Sequence, residues 1–377
     1  MKNIFLFGCS GSIGKQTIEV IKQHQDLFNL VGVSVHTNLT YLKEIVKEFN
    51  LKYVLISDPK SYLDYNYSKY NDIEKVIKES KADYVVNAVV GSAGLKITLK
   101  TLELGIDLGL ANKESLVVAG NLVNTLLKKS KSKLYPIDSE HSAIFQCLKG
   151  EKKSQIKNII ITASGGPFKD LSLKELENVK KEDALKHPTW NMGAKISIDS
   201  ATLVNKGLEI IEAFYLFKVP LRKIKVLIHP QSIVHSLVEF IDGSIKAQLG
   251  TPSMLVPIQY ALSYPNRITL TNYETDLSLS KLEFRKVDLK RFEAIKLAYD
   301  VLRKQGIMPL VFNQANEEAV KAFLNDEINF GQITEVIKYC VEETTNIKEI
   351  DLGIIESSML KASFLAREYI KKLKSKI

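Results

Sequence analysis

Over residues 1–149, short apolar runs alternate with amphipathic segments, a pattern that predicts strands separated by helices. The predicted strands cover residues 2–7, 30–35, 53–57, 83–88, 107–110 and 133–137. The predicted helices cover residues 15–22, 39–49, 73–79, 116–128 and 143–148. Strands that alternate with helices are typical of a parallel sheet, so residues 1–149 are expected to form a Rossmann-like domain.

Residues 150–265 are predicted to form a central α/β catalytic domain. Its strands are expected at residues 158–163, 225–228, 232–240 and 245–249, the last two joined as a hairpin by the Asp242-Gly243 turn. A charged helix is predicted at residues 174–185, and a lid loop near residues 187–194. A short strand at residues 195–198 is predicted to lead into Asp199 and Ser200, two candidate caps of the next helix.

Helical periodicity dominates the remainder of the chain. Helices are predicted at residues 289–304, 312–324, 332–343 and 352–374. The sequence therefore predicts a C-terminal helical domain at residues 289–377, connected by a linker at residues 266–288. The expected fold class is α/β, with a helical domain added at the C-terminal end.

Charge favours small anionic ligands. Lys and Arg exceed Asp and Glu by 52 to 43, which gives a formal net charge of +9. No Arg-rich stripe or aromatic–basic motif predicts a nucleic-acid partner, and the three cysteines lack metal-ligand or disulfide spacing. No apolar run reaches the ~18 residues that a membrane span needs, and no leader precedes the first strand. We therefore expect a cytoplasmic protein without a membrane partner.

A glycine-rich turn, GCSGSIG at residues 8–14, joins the first strand to the first helix. Glycines in this pattern allow the backbone to approach a pyrophosphate at a helix N-terminus, although a plain strand–helix turn is the alternative. The second strand ends in HTN at residues 36–38, without the Asp or Glu that binds the ribose of NAD. The sequence therefore favours NADP(H) over NAD, and residues 1–149 are expected to form an NADPH-binding domain.

Polar groups follow several other strands. ANKES at residues 111–115 lies at a carboxyl end, where open α/β sheets bind ligands. Asp138 and Glu140 are two apart, so an extended backbone would present both carboxylates to one spot, suited to Mg²⁺ or Mn²⁺. Helix capping is the alternative for both motifs. Ser164-Gly165-Gly166 offers a hydroxyl and free N–H groups to a phosphate, or forms a simple turn.

The stretch of residues 187–212 has too many polar groups for a core segment and is a candidate for a functional site. Helical spacing brings Asn205, Lys206 and Glu209 onto neighbouring patches, with an ordinary solvated ion pair as the alternative. The upstream segment HPTWNMG at residues 187–193 has the composition of a mobile lid. His235 is interpreted first as a sheet-face residue rather than a base.

Seven ordered motifs make the sequence resemble the 1-deoxy-D-xylulose 5-phosphate reductoisomerase family across essentially the whole chain. They are GCSGSIG at 8–14, LANKES at 110–115, PIDSEHSAIFQ at 136–146, ASGGPF at 163–168, HPTWNMG at 187–193, SATLVNKGLE at 200–209 and HPQSIVHS at 229–236. The resemblance implies rearrangement of 1-deoxy-D-xylulose 5-phosphate and reduction by NADPH to 2-C-methyl-D-erythritol 4-phosphate, in isoprenoid biosynthesis. It also implies a homodimer.

The resemblance also implies roles for individual residues. The implied metal ligands, for Mg²⁺ or Mn²⁺, are Asp138, Glu140 and Glu209. The implied substrate residues are Lys113, Ser139, Ser164, His187, Ser200, Asn205 and Lys206, covered by Trp190 and Met192 of the lid. The implied NADPH contacts are Ser10, Gly11, Ser12, Ile13, Asn38, Asn112, Glu114 and Gly193, to which the turn and strand-end patterns add Gly8, His36 and Thr37.

Two other functions remain open at the level of sequence. Another Rossmann dehydrogenase acting on a phosphorylated or carboxylated metabolite could work without a metal, and a chelator would separate it from a reductoisomerase. A nucleotide-sensing binding protein should lack some of Asp138, Glu140, Lys206 and Glu209, whereas all four are present.

Overall fold

The structure, a computed structural model, describes residues 1–58, 60, 68–70, 72–176, 178–186, 193–271, 273–278 and 281–375, with backbone alone for residues 68–70 and 173. It divides into two compact units. The first comprises Met1–Ser115, Val123–Ser142 and Ser253–Glu274, and the second comprises Leu116–Leu122, Ala143–Pro252 and Thr275–Ile377. This division differs from the predicted boundaries at residues 149, 265 and 288, and the three-domain organisation stays a prediction.

The described residues form strands and helices in the following ranges. The strands are β1 (Lys2–Phe7), β2 (Phe28–Val35), β3 (Tyr53–Ile56), β4 (Ser68–Tyr70), β5 (Tyr84–Asn87), β6 (Asp107–Leu110), β7 (Leu134–Pro136), β8 (Ile156–Ala163), β9 (Ile224–Ile228), β10 (Val234–Phe240), β11 (Ile245–Leu249) and β12 (Arg285–Lys286). The helices are α1 (Ser12–Gln23), α2 (Leu39–Phe49), α3 (Ile73–Glu79), α4 (Gly94–Glu103), α5 (Lys113–Lys129), α6 (Ser139–Cys147), α7 (Leu173–Leu176), α8 (Lys181–Ala184), α9 (Ala194–Ala201), α10 (Val204–Phe217), α11 (Leu255–Ser263), α12 (Glu293–Lys304), α13 (Met308–Leu324), α14 (Phe330–Glu343) and α15 (Leu352–Lys374).

The first unit contains a parallel sheet whose described strands follow the order β4-β3-β2-β1-β5-β6-β7. The neighbouring strands β1 and β5 lie near the middle of this sheet and are mostly apolar. Residues 4–7 of β1 and residues 84–87 of β5 are each 0% exposed. Burial on both faces is what a parallel sheet covered by helices requires. The strand order reverses between β1 and β5, the point at which such sheets bind nucleotides. The predicted Rossmann-like fold is confirmed.

The second unit contains a mixed sheet in the order β11-β10-β8-β9-β12 among the described strands. Strands β8 and β9 are parallel, while β10 is antiparallel to both β8 and β11. The predicted β10–β11 hairpin is present, with Glu239 opposite Ile245 across the turn. Helices α12 to α15 pack on one another through buried residues such as Phe312 and Ile333, which confirms a C-terminal helical region.

One segment folds differently from its prediction. Residues 195–198 belong to helix α9, although their alternation of polar and apolar residues has the period of a strand. Two contacts have helical spacing: the Ser197 hydroxyl donates to the Gly193 carbonyl at 3.0 Å, and Lys195 pairs with Asp199 at 2.7 Å. Asp199 and Ser200 therefore lie inside α9 and do not cap the following helix.

Two further expectations about local structure were wrong. Helix α6 begins at Ser139, so Asp138 and Glu140 do not share an extended segment, although the expected convergence is present and their carboxylate oxygens lie within 4.8 Å of each other. The predicted charged helix at residues 174–185 is instead the two short helices α7 and α8, because the backbone of Lys180 between them is extended (φ −92°, ψ 157°). Of the helices in the described part of the chain, none is long and apolar enough to cross a membrane.

Candidate active site

The turn after β1 has the geometry of a dinucleotide-binding loop. A Cβ added at Gly14 would lie 2.2 Å from the Gly8 carbonyl oxygen, so this close approach of helix to turn requires glycine. Gly11 precedes the first residue of α1 and offers no side chain to cap the helix. The first-turn N–H groups, among them those of Ser12 and Ile13, are thus available to an anion.

The end of β2, where the sequence predicts that the ribose of the cofactor binds, carries no carboxylate. His36 is exposed, and its Nδ1 lies 2.9 Å from the Ser57 hydroxyl at the end of neighbouring β3. Thr37 is also exposed, whereas the Asn38 side chain caps α2 by accepting from the Tyr41 N–H at 3.1 Å. The side chains that face solvent here are compatible with a 2′-phosphate.

Asn112 serves as the cap of α5. Its side-chain oxygen accepts from the Ser115 N–H at 3.0 Å, and its amide donates to the carbonyls of Val89 at 2.8 Å and Gly91 at 2.7 Å. Asn112 is 1% exposed, and its side chain forms these hydrogen bonds within the protein. Glu114, also buried, accepts from the Asn112 amide at 3.1 Å. The capping alternative therefore holds for Asn112.

Lys113 has a different environment, because its ammonium reaches Asp138 at 2.6 Å. Both side chains are nearly buried, at 11% and 12% exposure. Burial acts to raise the pKa of Asp138, but the charge of Lys113 and the contact with His141 outweigh it and hold that pKa well below its usual range. Ser139 donates to the neighbouring Glu140 carboxylate at 2.6 Å. The first unit thus presents two ionisable carboxyl groups beside a buried ammonium.

In the second unit, α10 carries the amide, ammonium and carboxylate predicted from helical spacing. Asn205 and Lys206 both donate to the Glu209 carboxylate, each at 2.6 Å and each to a different oxygen. The Lys206 and Glu209 side chains are 5% and 1% exposed, so the alternative of a solvated ion pair is wrong. A buried ion pair is costly, which makes a functional role the better explanation.

The turn after β8 lies directly against the end of α9. A Cβ added at Gly166 (φ +69°) would lie 2.8 Å from the Ser200 carbonyl oxygen and 3.1 Å from the Ala201 Cα. The Ser164 hydroxyl accepts from the Gly166 N–H at 3.2 Å, and both serines are partly exposed. The structure thus brings together two of the predicted phosphate-binding segments within the second unit.

The lid prediction falls on residues that the structure does not describe. His187, Trp190 and Met192 lie outside the described ranges, and Gly193 is an exposed residue at the start of α9. His235 is 8% exposed within β10, as expected for a sheet residue.

Two buried residues near these segments were not predicted as site residues. Asp199 was interpreted only as a helix cap, and Asn316 of α13 was not singled out, yet the two side chains bond at 2.7 Å. The four-residue spacing of Lys195 and Asp199 was a visible signal of an ion pair. No spacing rule could connect residues 199 and 316.

Comparisons with known proteins find one enzyme family along most of the chain. Residues 4–120 match the sequence model of 1-deoxy-D-xylulose 5-phosphate reductoisomerase. Residues 134–217 match the 1-deoxy-D-xylulose 5-phosphate reductoisomerase C-terminal domain, and residues 249–366 match the DXP reductoisomerase C-terminal domain.

Individual relatives extend this similarity. The 1-deoxy-D-xylulose 5-phosphate reductoisomerase of Geobacillus sp. (strain WCH70) is 47% identical over 363 residues, covering 93% of this chain and 95% of the relative. That of Lachnoclostridium phytofermentans is 46% identical over 385 residues, covering 98% of this chain and 99% of the relative.

Solved structures give the same result in three dimensions. The Zymomonas mobilis enzyme in complex with NADPH has a TM-score of 0.91 at 38% identity, covering 99% of this chain and 100% of that one. A DOX-P reductoisomerase in complex with NADPH, fosmidomycin and magnesium has a TM-score of 0.93 at 38% identity, covering 99% of each chain. The glycine-rich turn, the buried lysine–carboxylate pairs and the matches over nearly all residues place this chain in the 1-deoxy-D-xylulose 5-phosphate reductoisomerase family.

Proposed function

We propose that this chain converts 1-deoxy-D-xylulose 5-phosphate to 2-C-methyl-D-erythritol 4-phosphate, using NADPH and a divalent metal ion, in the non-mevalonate route of isoprenoid biosynthesis. Family membership supports the reaction. The observation that carries the proposal to this chain is a cluster on α10, in which partly exposed Asn205 and buried Lys206 both donate to the buried carboxylate of Glu209. Burying an ion pair is costly, and a functional site accounts for that cost.

Asp138, Glu140 and Glu209 are proposed to hold the metal ion, Mg²⁺ or Mn²⁺. The residues fit such an ion, because carboxylate oxygens are the ligands that hard divalent cations prefer. Asp138 and Glu209 also already bond a cation each, the ammonium of Lys113 and of Lys206. When bound, a divalent ion supplies Lewis-acid stabilisation of negative charge on the substrate's carbonyl and hydroxyl oxygens.

Other side chains are proposed to bind the substrate. A phosphorylated sugar needs hydrogen-bond donors and positive charge around its phosphate, and free N–H groups of a turn serve the same purpose. Lys113 is proposed to reach the same substrate, and the segment near residues 187–194 is proposed to act as a lid that would exclude water from it. The substrate residues in this proposal are Lys113, Ser139, Ser164, His187, Ser200, Asn205 and Lys206, covered by Trp190 and Met192.

NADPH is proposed to bind at the carboxyl end of the parallel sheet in the first unit. The N–H groups at the start of α1 and the turn before it suit the pyrophosphate. When bound there, NADPH would supply the hydride that reduces the rearranged sugar phosphate. The proposed contacts are Gly8, Ser10, Gly11, Ser12, Ile13, His36, Thr37, Asn38, Asn112, Glu114 and Gly193, of which Asn38 and Asn112 have side chains engaged as helix caps and would contribute backbone atoms.

We also propose a cytoplasmic homodimer with three domains per subunit, divided near residues 149, 265 and 288. Light scattering coupled to size-exclusion chromatography tests the dimer, since the monomer mass is 42.4 kDa. A mass corresponding to one subunit at micromolar concentration would refute it.

The activity is tested by following NADPH oxidation with 1-deoxy-D-xylulose 5-phosphate in the presence of Mg²⁺ or Mn²⁺, then after addition of EDTA. Metal-dependent oxidation that yields 2-C-methyl-D-erythritol 4-phosphate is the expected result. Oxidation that persists in EDTA would favour a metal-independent Rossmann dehydrogenase. A folded, NADPH-binding protein that oxidises no NADPH with this substrate would refute the proposed reaction.

A further inference from the structure

A buried carboxylate that the proposed reaction does not use lies beside the phosphate-binding segment. Asp199 is one residue before Ser200 in helix α9 and is only 2% exposed. An ionised carboxylate is rarely buried unless donors or cations compensate it. The partners of the Asp199 carboxylate therefore indicate its role in the structure.

Asp199 is compensated by one partner on each oxygen. Lys195 donates to Oδ2 at 2.7 Å from one turn earlier in the same helix. Asn316 donates from its amide to Oδ1 at 2.7 Å and is itself 0% exposed on helix α13. Because a carboxylate can only accept, the amide of Asn316 must present its NH₂ group to it. The charge-assisted bond from Asn316 fixes α9 to α13 at a buried point, while the bond from Lys195 stays within α9.

The position of α9 decides where Ser200 lies. The Ser200 carbonyl approaches Gly166 so closely that a Cβ there would be 2.8 Å away, so the end of α9 and the Ser164–Gly166 turn are in direct contact. Leu203 then takes a left-handed backbone conformation (φ 57°) and leads into α10, which carries Asn205 and Lys206. A shift of α9 would therefore alter the distance between Ser200 and the other proposed phosphate ligands.

Lys195 also compensates the negative charge of Asp199. An uncompensated carboxylate next to Ser200 would repel a dianionic phosphate. Lys195 neutralises Asp199 within the helix, so the segment can approach a phosphate without that penalty.

We infer that Asp199 is a positioning residue, whose bonds to Asn316 and Lys195 hold Ser200 against the Ser164–Gly166 turn in the geometry that binds the substrate phosphate. The inference rests on the proposed function, which takes Ser200 and Ser164 as phosphate ligands. Asp199 itself touches neither substrate nor cofactor in this account, and its loss acts on binding more than on the chemical step.

The first test variant is Asn316→Asp, which keeps the shape but turns the donor facing Asp199 into an acceptor. The second is the exchanged pair Asp199→Asn with Asn316→Asp, which restores an amide–carboxylate bond with the roles reversed. Asn313→Asp is the matched control, because Asn313 is also a 0% exposed asparagine of α13 that donates to a carboxylate, that of Glu317 at 3.2 Å. Its partner lies within α13, not in α9.

Steady-state kinetics and calorimetric titration with inorganic phosphate supply the readouts. We expect Asn316→Asp to raise the KM for substrate and the Kd for phosphate about tenfold, with kcat changed less than about threefold. The exchanged pair should recover part of the loss, because it restores the bond between α9 and α13 but leaves Lys195 without its carboxylate. Asn313→Asp should lower thermal stability while leaving both constants near the wild-type values.

The inference is overturned if folded Asn316→Asp binds phosphate as the wild type does, if Asn313→Asp weakens phosphate binding equally, or if the folded exchanged pair shows no recovery. Should Asn316→Asp not fold, Asn316→Ala, which removes the donor with the rest of the amide and adds no charge, decides by the same readouts. Phosphate titration separates this inference from the proposed reaction. A wild type that binds phosphate but oxidises no NADPH refutes the reaction, while the ranking of the variants still tests the positioning role.

Discussion

Two of the three proposed metal carboxylates, nearly buried Asp138 and buried Glu209, are each bonded to a lysine. Lys113 meets Asp138 in the first unit, and Lys206 meets Glu209 in the second. Removing one member of a buried ion pair leaves an uncompensated charge, which costs about 3–5 kcal/mol. Buried ion pairs add little to the free energy of unfolding. They do keep a carboxylate ionised, as the low pKa of Asp138 illustrates, and an ionised carboxylate can bind a metal ion.

Glu209→Gln should therefore abolish turnover while NADPH binding persists. The amide keeps the shape of the side chain but loses the negative charge that a divalent ion and Lys206 require. We expect NADPH oxidation with 1-deoxy-D-xylulose 5-phosphate to fall at least about 100-fold, while the NADPH Kd measured by fluorescence titration stays within about twofold.

Glu239→Gln is the control for this substitution. Glu239 is a carboxylate of β10 bonded to Lys157 at 2.8 Å and to Asn158 at 2.6 Å, on a partly exposed face. Its turnover should match the wild type. Unchanged turnover in Glu209→Gln would remove Glu209 from the metal site.

At the scale of elements, periodicity identified most strands and helices but not the geometry of the site. The predicted ranges of α2, α3, β6, β11 and α15 agree with the structure, because apolar spacing follows directly from burial. The alternation at residues 195–198 was misleading, since local ion pairing and a bond to the Gly193 carbonyl favoured helix over strand.

Long-range contacts could not be predicted from one sequence at all. The cluster of Asn205, Lys206 and Glu209 was predictable because its members are within one helical turn. The bond between Asp199 and Asn316 joins residues 117 positions apart, and no local pattern marks it. Burial also escaped prediction, since the same Lys–Glu spacing occurs on solvated helices.

The contact between the β8 turn and α9 leads to a prediction at this scale. Gly166→Ala introduces a Cβ at 2.8 Å from the Ser200 carbonyl oxygen and also strains the backbone at φ +69°. We expect the KM for 1-deoxy-D-xylulose 5-phosphate to rise about tenfold, because a displacement of about 1 Å in a binding group has large effects on catalysis.

Gly150→Ala separates the two causes, because Gly150 has a similar φ of +82° but, apart from its chain neighbours, no atom of the described residues lies within 4 Å of the added Cβ. Backbone strain alone should cost that variant about 1–2 kcal/mol of stability without changing KM. An equal rise of KM in both variants would show that strain, rather than the contact with α9, is responsible.

At the scale of the whole molecule, burial of groups that lose a proton at high pH affects stability. In the second unit, burial raises the pKa of Cys340 to about 12, that of Tyr215 to about 12 and that of Tyr299 to about 12. The folded state keeps these protons at a pH where the unfolded chain releases them. The unfolded state therefore binds fewer protons, and stability falls as pH rises above the unfolded pKa values.

Cys340 provides the clearest measurement of this effect, because it is 0% exposed and its pKa rises from 9.0 to about 12. Between about pH 7 and about pH 10, the buried thiol should account for about 1.4 kcal/mol of lost stability. Urea unfolding of Cys340→Ala should show a correspondingly smaller loss over that interval. Ser358→Ala, which removes a buried hydroxyl that does not titrate, should keep the wild-type pH response. If Cys340→Ala loses as much stability as the wild type, the thiol ionises as readily in the folded protein as in the unfolded chain, and burial does not govern its proton.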